Sequence, residues 1–65
     1  MSRYRNRPVT EIKTGDRVLA TGFEWIVIGT GSSDDGTFVR LNLRVGNDVS
    51  SLLFPRDSKL QVVIT

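Results

Sequence analysis

The stretch TFVRLNLRV, residues 37–45, alternates without a break. Val39, Leu41, Leu43 and Val45 fall on one side, and Phe38, Arg40, Asn42 and Arg44 on the other. A period of two gives an extended strand one apolar face, whereas an apolar stripe on a helix needs a period near 3.6. The chain must therefore contain a strand with a core face and a polar, basic outer face, and the rest of the 65 residues has to supply its partners.

Regular punctuation marks those partners. KTGDR (13–17) and TGF (21–23) set glycine between apolar runs, GSSDDG (31–36) is a polar loop, GND (46–48) a tight turn, and PRDS (55–58) a turn begun by proline. Between them lie RVLAT, FEWIVIGT, the alternating stretch, VSSLLF and KLQVVIT. In FEWIVIGT, Phe23, Trp25 and Val27 oppose Glu24, Ile26 and Ile28, so both faces are apolar and the strand is central and strongly bent. In the last run Leu60, Val62 and Ile64 share a face, with Gln61 and Val63 opposite. Eight valines and four isoleucines against one alanine and two glutamates favour strands over helices. Five short strands with turns about every 8–12 residues predict an all-β domain, and closure into a barrel removes exposed edges.

A chain of this length forms one domain and buries only about 60% of the surface its unfolded form exposes. The expected organisation is a flexible basic arm over residues 1–8 and a single β-domain over 9–65. No disulfide can staple that domain, because there is no cysteine.

The TGDRV start of the first strand, the long bent hairpin and the one-turn 3₁₀ segment expected at PRDS, before a fifth strand, resemble an SH3-like small barrel over residues 12–65. KOW, Tudor and chromatin-binding barrels share that plan. The resemblance implies a five-stranded barrel and a binding role. LATGFEWIVIG departs from the KOW pattern, which argues against a ribosomal or elongation-factor role. The short, basic, cysteine-free format also resembles the small accessory proteins of bacterial viruses.

Catalytic chemistry finds little to work with. Neither histidine nor cysteine is present, so the commonest general base and the strongest nucleophile are missing, and zinc lacks its usual ligands. Asp34 and Asp35 sit in a polar loop without calcium-loop spacing, and they are expected to shape a turn. GTGSSDDG lacks the lysine and following helix of a phosphate loop. No enzyme, cofactor or metal site is expected. No apolar run approaches the roughly 20 residues of a membrane helix, and the basic start has no apolar stretch after it to make a secretory signal. No membrane partner is expected, and the expected location is the cytoplasm, that of the host if the chain is viral.

The charge is uneven. Arg3, Arg5 and Arg7 give the first eight residues +3, while the remainder carries six basic and seven acidic side chains. A basic segment is an electrostatic footprint for polyanions. With Tyr4 beside it and Phe38, Arg40, Asn42 and Arg44 in line about 6–7 Å apart, arm and strand together form a candidate nucleic-acid surface of Arg3, Tyr4, Arg5, Arg7, Phe38, Arg40, Asn42 and Arg44. The alternative partner is a protein, or a second copy of the chain in a homodimer, met through apolar residues such as Ile26, Ile28 and Val63. Trp25 reads either as a core anchor or as a partly exposed binding aromatic.

Overall fold

The alternating stretch forms strand β4 (Phe38–Val45), with Val39, Leu41 and Leu43 buried as its pattern requires. The computed structural model describes residues 3–64. Before β4 come β1 (Tyr4–Pro8), a 3₁₀ turn (Val9–Glu11), β2 (Arg17–Ala20) and β3 (Phe23–Ser32), and after it β5 (Asp48–Pro55) and β6 (Lys59–Val63). The all-β expectation holds, but the strands number six among the described residues, in the antiparallel order β1-β6-β2-β3-β4-β5.

Three details differ from expectation. Residues 4–8 are not a free arm but an edge strand, with Tyr4 opposite Val63 and Pro8 opposite Lys59. The 3₁₀ turn follows Pro8 rather than Pro55. Proline fixes the φ with which such a turn begins, and Pro8 has φ −56°, while Pro55 is the last residue of β5 and leads into a β-turn closed by Ser58 N–H donating to Pro55 O at 2.9 Å. Finally, the five-stranded barrel is replaced by an open six-stranded sheet, because no ladder joins β5 to β1 or β6.

The sheet is nevertheless curled. β5 and β6 stand four places apart, about 19 Å in a flat sheet at a strand spacing near 4.8 Å. Only residues 56–58 connect them, and four Cα steps reach about 14 Å at most. The sheet must bend until the end of β5 approaches the start of β6. The Val9 N–H, donating to Ser58 O at 2.9 Å, fastens the 3₁₀ turn at that same place. The register shift in β3 between Val27 and Gly29 supplies part of the bend.

The concave face holds the core: Val9 and Ile12 from the first connection, Val18, Trp25, Val27, Val39, Leu41, Leu43 and Val62, with Ala20, Val45, Leu52, Phe54 and Leu60 packed around them. Trp25 is 8% exposed. Its Nε1 donates to Ala20 O at 3.0 Å and to Thr21 Oγ1 at 3.2 Å, so it is a core anchor with its polar atom satisfied.

Candidate interaction surface

Antiparallel partners share a face, so the register sorts the site residues. Arg5 stands opposite Val62 and Arg7 opposite Leu60, which puts both arginines on the concave side of β1. Phe38, Arg40, Asn42 and Arg44 alternate with buried residues and lie on the convex side of β4. Between β1 and β4 run β6, β2 and β3. The two arginine groups therefore occupy opposite faces and distant strands and do not form one surface. Arg3 precedes β1, where its carbonyl accepts from Ile64 N–H at 3.0 Å. Tyr4 is on the convex side, and its hydroxyl donates to Glu24 Oε2 at 2.7 Å.

Within β4 the four residues do stay together, but not as upright polar arms. Gly31 faces Arg40 and Gly29 faces Asn42. A Cβ at Gly31 would meet Arg40 Nη2 at 3.4 Å, so the guanidinium lies across the glycine, with Nη2 3.5 Å from Ser32 O. Asn42 lies over Gly29 in the same way, and its Oδ1 accepts from Ser51 Oγ at 2.7 Å. The convex face gains a residue the sequence reading did not include. Arg17 pairs with Ile26 and Ile26 with Arg44, setting two guanidinium groups on either side of one isoleucine. The three apolar candidates are dispersed: Ile26 in that row, Ile28 at the bulge, and Val63 opposite Tyr4.

The most exposed apolar residues of this face lie instead on β5, where Val49 is 62% and Leu53 56% exposed. β5 is an edge strand, and the hydrogen-bond parity shows what it offers. Arg56 N–H donates to Thr37 O at 3.1 Å. Residues two apart on a strand point their main-chain groups the same way, so Asp48, Ser50, Leu52 and Phe54 bond β4. Val49, Ser51 and Leu53 aim N–H and C=O outward, and among the described residues no hydrogen bond occupies those groups. Pro55, next in that series, has no N–H to offer.

The other edge is different in kind. β1 carries Arg5, Arg7 and Pro8, charges and a proline of the sort that discourage further pairing. From Val49 to Phe54, β5 has no charged side chain at all.

The Asp34–Asp35 loop is a turn. Asp35 Oδ1 accepts from Thr37 N–H at 3.0 Å and from Ser33 Oγ at 2.8 Å, while Ser33 Oγ accepts from Phe38 N–H at 3.0 Å. These donors, the Thr37 amide foremost, hold the Asp35 carboxyl below its usual value. Among the described residues no three acidic side chains gather where they could hold a metal ion, and no helix is long and apolar enough to cross a membrane.

No protein-family model, curated protein or solved structure matches this chain. What the chain can do rests on this geometry.

Proposed function

We propose that this chain is a non-enzymatic protein-interaction module that binds by strand addition along β5. The observation that carries the reading is the row Val49, Ser51, Leu53, whose main-chain groups point out of the sheet and have no partner among the described residues. An incoming extended segment would bond those groups and lay alternate side chains against Val49 and Leu53. The lack of histidine and cysteine and the flattened Arg40 and Asn42 support binding rather than chemistry.

A second reading, polyanion binding on the convex face, is favoured by Arg17 joining Arg44 across Ile26, with Arg40 further along β4. The two readings separate by salt. A protein partner captured through β5 stays bound at high salt and is lost with Leu53→Lys. A nucleic acid held by Arg17, Arg40 and Arg44 loses affinity steeply between about 50 and 200 mM salt and is not weakened by Leu53→Lys, which adds a positive charge beside Arg40. If Leu53→Lys leaves a salt-resistant partner in place, strand addition along β5 is wrong.

A further inference from the structure

The edge of β5 is complementary to itself. This inference rests on the strand-addition reading and names the occupant: we propose that β5 pairs antiparallel with β5 of a second copy, centred on Ser51, to make one continuous sheet across two chains.

The register follows from which groups point outward. A two-fold axis through Ser51 sets Ser51 against its own copy and Val49 against Leu53 of the other chain. All three outward residues then form hydrogen-bonded pairs, and each pair exchanges two main-chain bonds. Other centres do less. Centring on Leu53 puts Ser51 against Pro55, which lacks an N–H, and centring on Val49 runs the ladder into the Gly46–Asn47 turn. Direct partners also share a face, so Val49 of each chain packs against Leu53 of the other, giving two apolar pairs on the convex side, one on either side of the Ser51 pair.

Charge fits the same register. The edge runs from Asp48 at one end to Arg56 just past the other, with nothing charged between Val49 and Phe54. Antiparallel pairing sets Asp48 directly against Phe54 of the second copy, so the two Asp48 carboxylates lie at opposite ends of the ladder, and Arg56 stays bonded to Gly36 O of its own chain at 2.6 Å. No like charges are opposed along the ladder. Arg44 of one chain and Arg40 of the other lie in one row at three strand spacings from each other, about 14 Å, beyond the screening length of about 8 Å at physiological salt.

A single edge is a small interface, below the size typical of permanent dimers, so the dimer is expected to be reversible and concentration-dependent. Sedimentation velocity from about 10 μM to about 1 mM should show a monomer converting to a dimer. In a sample mixing labelled and unlabelled chains, intermolecular contacts between Val49 and Leu53 should appear. Leu53→Lys, on a side chain already more than half exposed, should keep the monomer's spectrum and abolish the dimer. An unchanged monomer at about 1 mM, or a dimer that survives Leu53→Lys, overturns the inference. Adding a synthetic peptide of residues 48–55 separates the two levels. If the protein does not self-associate but the amides of Val49, Ser51 and Leu53 shift with the peptide, the second copy is wrong and strand addition stands. If neither occurs, both fall.

Discussion

The Tyr4 hydroxyl donates to Glu24 Oε2 at 2.7 Å, tying edge strand β1 to β3 across the two strands that separate them. The first strand is thus held by its ladder with β6 and by a side-chain strut over the convex face. Tyr4→Phe removes only the strut. It should lower stability by about 0.5–1 kcal/mol, as an exposed hydrogen bond to a carboxylate allows, and Glu24→Ala, which removes the acceptor, should give a similar loss. Deleting residues 1–8 also removes the ladder and uncovers β6, and should cost on the order of 2 kcal/mol or more. Urea unfolding followed by Trp25 fluorescence measures both. A truncated chain as stable as the full one would mean that β1 contributes nothing to the fold.

The β2–β3 hairpin turns through Thr21 and Gly22 with φ of 53° and 82°. Two positive φ values suit the twist of a tight hairpin, but a β-branched residue is strained at the first of them. Thr21 Oγ1 donates to Ala20 O at 2.7 Å and accepts from Trp25 Nε1. Asparagine tolerates this conformation, and Trp25 keeps its bond to Ala20 O. Thr21→Asn should therefore raise stability by about 0.5–1 kcal/mol, the strain released exceeding the weaker bond lost. A lower melting temperature would show that the hydroxyl outweighs the strain.

Asp35 makes the polar loop sensitive to acid. The Thr37 amide, and after it the Ser33 hydroxyl, favour the charged carboxylate, so its folded pKa lies below the usual 3.8. A depressed folded value means that the unfolded chain takes up the proton first. The contribution is complete well above pH 3.8 and is lost as pH falls through that value towards the folded one. Unfolding between pH 6 and about 2 should show Asp35→Asn less stable than the parent at neutral pH, with the gap closing in acid. A gap constant with pH would mean that the Asp35 charge is not what orders the turn.

Much of this architecture was legible locally. The strict alternation of β4 fixed its buried face, and glycine- or proline-bearing turns bounded β2 to β6 within a few residues. The apolar pattern on both faces of FEWIVIGT marked β3 as central and bent. What escaped depends on partners distant in sequence. Tyr-Arg-Asn-Arg-Pro has little strand preference of its own and is extended because β6 offers it a ladder. Pro8 and Pro55 are equivalent as local signals, and only the path of the chain puts the 3₁₀ turn after the first. Arg17 joins Arg44 through the β2–β3–β4 register. That β5 is left at an edge follows from strand order alone, so VSSLLF gave no local sign that its main chain would be free.

Two glycines on β3 let β4 lay its polar side chains flat, and Gly29 is the tighter. A Cβ there would stand 3.1 Å from Asn42 Nδ2, whereas Gly31 leaves 3.4 Å to the end of a longer, more adaptable arginine. Gly29→Ala must therefore push Asn42 aside and break the bond its Oδ1 accepts from Ser51. The expected loss is about 1–2 kcal/mol, combining the crowded contact with the broken bond. Asn42→Ala loses the bond alone, about 0.5–1 kcal/mol. In the double variant the alanine at 29 meets only another methyl group, so the two losses should not add, and the double should be no less stable than Gly29→Ala. Additive losses in the cycle would show that Gly29 is needed for the bulge itself rather than for the room it leaves Asn42.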